Sequence, residues 1–404
     1  MDDLKSSERH MNGQSLPEVA FGPFRLDLRS RRLSRNGVAV ALGERAFDVL
    51  RALVVAEGAL VTKSDLIAQV WPSVTVEENN LQVQIYAVRR ALGEDGDSRG
   101  YVRTVSGRGY RFVGDAPAAG EAATATLPAQ EIRYCRMVDG AHLAVATLGE
   151  GPPVVRAPVW MSHVEHDWRS TIWREILTAL VGAHRLVRYD ARGTGLSDRD
   201  VEISFEAAVS DLETIIDALG LKRFALLGMS QGVAVSIAYA ARHPERVSRM
   251  VLAGGYARGS LVVTPERATA VEAMATLVSE RWGSDNPAFR QLFTSLGFPD
   301  ATMAQIHEIN ELQRVSASGD TAARILKMLA RVDVSAELAR VRAPTLVLHS
   351  RDDAWIPAER SREIARGIAG ARFHEIAGAN HVVLPQGPLF DSYIATVLAF
   401  LSDD

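Results

Sequence analysis

A chain of 404 residues exceeds one ordinary core and suits two domains. With 47% hydrophobic and 23% charged residues and a net charge of −4, the composition is that of a soluble globular protein, and no apolar run approaches the roughly eighteen residues that would span a membrane. The single cysteine, Cys135, excludes an internal disulfide and a thiolate metal cluster; it falls in a strand-like run, 131–138, and reads as a small buried residue. Residues 1–20 are polar (Asp2, Asp3, Lys5, Glu8) and lack the apolar stretch of a secretory signal, so a cytoplasmic chain is expected. Charge is mildly asymmetric: residues 1–114 carry 16 Lys/Arg against 14 Asp/Glu, and the remainder 29 against 35. That permits, without requiring, a nucleic-acid partner for the N-terminal part.

In chain order, 1–19 reads as a flexible terminus. Segments 24–28 and 31–40 read as strands around Asn36-Gly37, a hairpin-turn dipeptide. Three helices follow. The first, 45–57, places Phe47, Leu50, Leu53 and Val54 on one face. The second, 63–70, carries Leu66 and Ile67. The third, 76–92, has the stripe Leu81, Ile85, Val88 and Leu92. Two strands, 101–105 and 110–113, join through Ser106-Gly107-Arg108-Gly109. Residues 115–130 are mostly Ala, Pro, Thr and Glu and read as a linker. Beyond them strand-like runs at 154–157, 186–189, 224–227, 250–253 and 345–349 alternate with helical stretches such as 205–219 and 232–241. Such alternation means a mostly parallel sheet wrapped by helices. Residues 260–340 carry helix-like sequence only and read as a helical cap.

Gly228-Met229-Ser230-Gln231-Gly232 stands between a strand and a helix. G-x-S-x-G in that setting puts a serine on a strained turn, its hydroxyl clear of the sheet. Asp353 lies just past the strand 345–349, and His381 lies in Gly378-Ala379-Asn380-His381 after the strand-like 372–376. With these the chain order Ser–Asp–His is complete.

Residues 131–404 resemble the α/β-hydrolase family. Asp190-Ala191-Arg192-Gly193-Thr194-Gly195-Leu196-Ser197 is similar to its D-x-R-G-x-G-x-S segment. Ser350-Arg351-Asp352-Asp353-Ala354-Trp355-Ile356-Pro357 is similar to G-x-x-D-x-x-x-P, an alignment that selects Asp353 over Asp352. The resemblance implies a triad of Ser230, Asp353 and His381 and an oxyanion hole formed by the N–H groups of Gln231 and Trp160. Asp190 reads as a buttress for the loop below the site. The family's His-Gly is replaced by Pro158-Val159, and valine resists a left-handed conformation, so the loop departs from the usual path or the hole is poorer. Leu292, Phe293, Leu296, Phe298, Met303 and Ile306 of the cap are expected to pack together, a subset facing Ser230 as an apolar pocket. A small apolar ester, lactone or amide-like ligand is then expected, with no metal or other cofactor.

Residues 20–114 resemble an OmpR/PhoB-type winged helix through Trp71-Pro72, Val88-Arg89-Arg90-Ala91-Leu92 and the wing 104–112. The fold expected is thus α/β: an N-terminal winged helix-turn-helix (α+β) followed by an α/β-hydrolase fold with a helical cap. With the apolar stripe of the third helix buried, its other face carries Asn79, Gln82, Val83, Tyr86 and Arg90. The first of these suit base edges; Arg89, Arg90, Arg103, Arg108 and Arg111 suit phosphates or the minor groove. Double-stranded DNA is the expected partner, met as a homodimer on repeated half-sites, and the whole reads as a ligand-responsive transcription regulator. Alternatives are an esterase with an accessory DNA-binding domain and a degenerate hydrolase acting only as a sensor.

Overall fold

The computed structural model describes residues 18–402 except 57, 73–75, 77, 94–99, 106–107, 115–129, 285, 287 and 386–387. The expected flexible residues 1–17, nearly all of the expected linker, and Ser106-Gly107 of the wing lie outside them. The chain forms two compact units, residues 1–126 and 127–404.

In the first unit, β1 (Glu18–Phe21), β2 (Phe24–Asp27), β3 (Arg32–Arg35) and β4 (Val38–Val40) make an antiparallel sheet in that order. Asn36 (φ 50°) and Gly37 (φ 82°) both take the left-handed conformation, the turn whose twist suits a two-residue hairpin. Then come α1 (Glu44–Val55), β5 (Leu60–Thr62), α2 (Lys63–Val70), α3 (Glu78–Leu92), β6 (Val102–Val105) and β7 (Gly109–Phe112). The Thr62 hydroxyl caps α2 by accepting the Asp65 N–H at 3.2 Å. Leu81, Ile85, Val88 and Leu92 are buried, as their spacing requires. Sequence reading passed over two strands. β1 begins inside the stretch taken as flexible. β5 joins the wing as a three-stranded sheet, β5-β7-β6. Both are three or four residues long, and only the pairing partner makes so short a run a strand. The third helix starts at Glu78 rather than Val76, and the first ends at Val55 rather than Glu57.

The second unit opens with β8 (Glu131–Arg136), β9 (His142–Leu148) and β10 (Pro153–Arg156). It continues through α4 (Val164–Arg169), α5 (Trp173–Val181), β11 (Arg185–Tyr189), α6 (Phe205–Ala218), β12 (Phe224–Met229), α7 (Gly232–Arg242) and β13 (Val247–Ala253). The cap holds α8 (Ser260–Val263), α9 (Ala268–Arg281), α10 (Ala288–Gly297), α11 (Met303–Ser316) and α12 (Gly319–Leu329). β14 (Thr345–Ser350), α13 (Glu359–Gly367), β15 (Arg372–Ile376) and α14 (Pro388–Ser402) complete the chain. The eight-stranded sheet runs β15-β14-β13-β12-β10-β11-β9-β8, parallel except where β9 pairs with β11 and β8. β9 was not anticipated, since its small residues Ala144 and Ala146 carry little strand preference.

Alternation along the central strands divides the core. Phe224 and Leu226 of β12 join the layer of α6, α7 and α13, while Ala225, Leu227 and Met229 join that of α5 and α14. The cap rises from the C-terminal end of β13. Its two ends are zipped by Gly259 N–H to Val332 O (2.7 Å) and Val334 N–H to Ala257 O (2.8 Å). Among the described residues no helix is long and apolar enough to cross a membrane.

Candidate active site and nucleic-acid face

Ser230 stands between β12 and α7 with φ 51°, a left-handed conformation that costs a non-glycine residue about 1–3 kcal/mol. Its N–H donates to Ala253 O at 2.9 Å, which clamps the turn to β13. The flanking glycines are required by packing. A Cβ on Gly228 would meet Ser236 Oγ at 2.6 Å, and one on Gly232 would meet Pro158 O at 2.9 Å.

His381 Nε2 lies 2.9 Å from Ser230 Oγ, and His381 Nδ1 lies 2.7 Å from Asp353 Oδ2. A carboxylate can only accept, so Nδ1 carries a proton and Nε2 presents its lone pair to the serine. Asp353 is buried, whereas Asp352 is exposed. Asp353 Oδ1 accepts the N–H groups of Trp355 (2.8 Å) and Ile356 (3.1 Å). Burial pushes the Asp353 acid up, but hydrogen bonds from His349 and His381 outweigh it and hold the group well below the usual carboxylate range. His349, at the end of β14, was not singled out in the sequence. Its Nε2 sits 3.4 Å from Asp353 Oδ2 and 2.7 Å from Ile356 O, and its Nδ1 sits 2.6 Å from Ser361 Oγ. The residue placed against the Asp353 carboxylate is thus itself fixed at both ring nitrogens.

In the loop after β10, Val159 does not adopt the left-handed conformation; Met161 does, with φ 55°. Among the described residues, neither the Trp160 nor the Gln231 N–H meets a carbonyl or side-chain acceptor. Asp190 ties this loop to the turn after β11 by accepting the N–H groups of Val164 (2.8 Å) and Leu196 (2.9 Å). Burial pushes its acid up to about 7 against those bonds.

A small pocket, partly open to solvent, lies over Ser230 and His381. Its wall includes Trp160, Trp173, Phe298, Ile309, Leu312, Gln313 and Trp355. Of the six cap residues from which a lining subset was expected, Phe298 lines it. Phe293 packs behind, its ring 5.1 Å from that of Trp355, while Leu292 and Leu296 are exposed. The helical period of the cap was legible, but which face meets the core depends on how the helices cross. Buried Arg156 holds Trp173 from behind, its guanidinium 4.6 Å from the ring centre and 3.7 Å from Asp167. Two contacts fasten the cap to the site. Gly297 O accepts the His381 N–H at 2.7 Å, and Glu308 of α11 accepts from the hydroxyls of Ser170 and Thr171 and the N–H of Ile172.

On the winged helix, Val83 and Arg90 of α3 are exposed, and Gln82 and Tyr86 half-buried; the side chain of Asn79 lies outside the described residues. Arg103, Arg108 and Arg111 are exposed on the wing, and Arg103 pairs in register with Arg111. Arg89 departs from its expected phosphate role. Its Nη2 donates to Val102 O (2.8 Å) and Thr104 Oγ1 (3.0 Å), so it binds α3 to the wing.

The sheet, the cap and the strand–turn–helix at Ser230 are those of a hydrolase fold, and the chain belongs to the alpha/beta hydrolase fold family, whose profile matches residues 166–388. Residues 37–112 match the family described as transcriptional regulatory protein, C terminal, the OmpR/PhoB-type winged helix. The chain is 27% identical over 272 residues to a pyrrolizixenacetamide deacetylase of Xenorhabdus hominickii, covering 65% of this chain and 96% of that one. It is 29% identical over 225 residues to a 2-hydroxy-6-oxo-2,4-heptadienoate hydrolase of Pseudomonas putida, covering 52% and 76%. The enol-lactonase from Burkholderia xenovorans superposes with a TM-score of 0.52 at 25% identity, covering 67% of this chain and all of that one.

Proposed function

We propose that this chain is a DNA-binding transcription regulator whose α/β-hydrolase domain binds, and hydrolyses, a small apolar carbonyl compound. The observation that carries the catalytic part is the unbroken series Asp353–His381–Ser230 at 2.7 and 2.9 Å beneath an apolar cavity. Ser230 Oγ attacks the ligand carbonyl while His381 Nε2 takes its proton. The ionised Asp353 holds the imidazole in the required tautomer and stabilises the imidazolium. The developing oxyanion is held by the N–H groups of Gln231 and Trp160, each such donor contributing about 3 kcal/mol in the transition state. His381 then returns the proton to the leaving group, and water repeats the sequence on the acyl-enzyme. The names of the relatives, a deacetylase, an oxo-dienoate hydrolase and an enol-lactonase, share a carbonyl centre and support this class of ligand.

The DNA part rests on the family match over residues 37–112 and on the exposed arginines of the wing. A ligand in the hydrolase cavity changes operator occupancy only by binding the two states of the protein differently. The test pairs a fluorophosphonate probe with a footprint on DNA upstream of the coding sequence. Wild type is expected to be labelled and to show ester-dependent occupancy on two adjacent sites. Ser230→Ala is expected to lose labelling and about 10³-fold or more of hydrolysis. Equal labelling of the variant overturns the nucleophile. An unlabelled wild type that still binds ligand identifies a sensor without turnover, the reading favoured by Pro158-Val159 in place of His-Gly.

A further inference from the structure

The cavity over Ser230 is apolar almost throughout, so the few polar atoms in its wall decide what it admits. Apart from Ser230 and His381, the side chains that bring polar atoms to it are Gln313 and the indoles of Trp160, Trp173 and Trp355, and of these Gln313 Oε1 and Trp160 Nε1 are the ones buried without a partner. Gln313, on α11, is buried, and its amide is oriented by a buried relay. Its Nε2 donates to Thr294 Oγ1 at 3.1 Å. The Thr294 hydroxyl has one proton and donates it to Asn310 Oδ1 at 2.6 Å. Thr294 and Asn310 are themselves buried. The relay therefore points the nitrogen of Gln313 at Thr294 and leaves its oxygen over. Gln313 Oε1 is buried without a hydrogen-bond partner, and so is the indole Nε1 of Trp160.

A buried acceptor held in place without a partner is costly to the fold unless a ligand supplies the missing donor. We infer that Gln313 Oε1 recognises a neutral hydrogen-bond donor, an N–H or a hydroxyl, so that the ligand of this site is a carbonyl compound carrying such a donor on an otherwise apolar body. The inference rests on the hydrolase reading above and narrows its substrate class. The donor is neutral because no carboxylate lines the cavity to pair with a cation. A ligand offering only acceptors leaves Gln313 Oε1 unpaired. The Trp160 indole supplies the complementary donor, which suits a secondary amide, with its N–H and C=O, or a hydroxy-carbonyl group.

The test uses ester pairs that differ by a single N–H. One pair varies the acyl part: p-nitrophenyl N-acetylglycinate and p-nitrophenyl levulinate, in which CH2 replaces N–H. The other varies the alcohol part: acetamidoethyl butyrate and its oxopentyl isostere. For each enzyme the ratio of kcat/KM within a pair, corrected for spontaneous hydrolysis, cancels any general loss of activity. Wild type is expected to favour the N–H member of at least one pair by about tenfold or more. Gln313→Leu, which removes the acceptor at similar volume, should bring that ratio to near unity. Thr294→Val, which releases the amide to turn, should reduce it in part. Should Gln313→Leu not fold, Gln313→Met takes its place. Equal ratios in wild type and variant for both pairs overturn the inference. If wild type turns over none of the four esters and is not labelled by the fluorophosphonate probe, the hydrolase reading fails separately. The preference is then read from their dissociation constants, and equal affinity within both pairs overturns the inference.

Discussion

At Asp353, two histidines meet one carboxylate, and the consequence is chemical and energetic at once. Oδ2 orients His381 while His349 approaches the same oxygen from behind. The folded acid lies below its ordinary value of 3.8. A depressed folded pKa contributes stability above the unfolded pKa, and that contribution is lost as pH falls through the folded value. Asp353→Asn should therefore lower the melting temperature at neutral pH. The gap from wild type, followed by calorimetry against pH, should begin to narrow below about pH 4, where the carboxylate of the unfolded chain protonates while the folded one stays ionised, and should close only as pH falls through the lower folded value. The same variant should lose hydrolysis about 10⁴-fold, because an amide cannot select the tautomer or stabilise the imidazolium. Exposed Asp352→Asn should change little. A large effect at Asp352 with none at Asp353 would refute the assignment of the acid.

Between elements, the contact that matters most for the site joins the end of α10 to the histidine loop. Gly297 O holds the His381 N–H, and Asn380 Oδ1 accepts the Asp300 N–H at 3.0 Å. A Cβ on Gly297 would come within 2.8 Å of the Trp355 ring, whose centre is 5.3 Å from that of His381. Gly297→Ala should thus push Trp355 against the imidazole. We expect the rate of fluorophosphonate labelling to fall roughly 10- to 100-fold, the scale of a 1 Å misplacement of a catalytic group. The stability loss should be only about 1–3 kcal/mol, as for other overpacked sites. Gly283→Ala in the same cap meets nothing within 4 Å and serves as the control. Equal labelling rates in the two variants would show that the cap and the histidine loop are not coupled.

Over the whole molecule, a winged helix precedes a hydrolase domain, and the arginines of the winged-helix unit divide by what they touch. Arg108 is exposed and is proposed to meet a phosphate, whereas Arg89 is engaged with Val102 and Thr104. For the full-length chain on duplex DNA from its own upstream region, Arg108→Ala should weaken binding to all sequences. It should also reduce the slope of log affinity against log salt by about one contact. Arg89→Ala should leave that slope close to wild type and show instead as an earlier unfolding transition, because it removes a strut between α3 and β6. Titrations at several salt concentrations distinguish the two; a slope unchanged by Arg108→Ala would remove that residue from the interface.

What the sequence determined by itself was whatever depends on period, order and local backbone chemistry. The stripe Leu81–Ile85–Val88–Leu92 defined a helix because its spacing leaves one face to bury. Asn36-Gly37 marked its hairpin because both residues tolerate a left-handed conformation. Ser230, Asp353 and His381 stood out because each follows a strand of a parallel sheet, whose C-terminal ends converge on one edge. Only the tertiary structure decided matters that depend on crossing angles and on partners far apart in the chain. Short strands such as β5 exist only through their neighbours. Met161 rather than Val159 carries the left-handed conformation, in a loop whose far end is tied to Asp190, a partner distant in the chain. Arg89 lies in the same motif as Arg90, yet it turns inward. Gln313 sits in the middle of a cap helix with no sequence motif around it. Its free oxygen follows from a relay through Thr294 and Asn310, and hydrogen-bond satisfaction is a property of the packed interior that no linear pattern encodes.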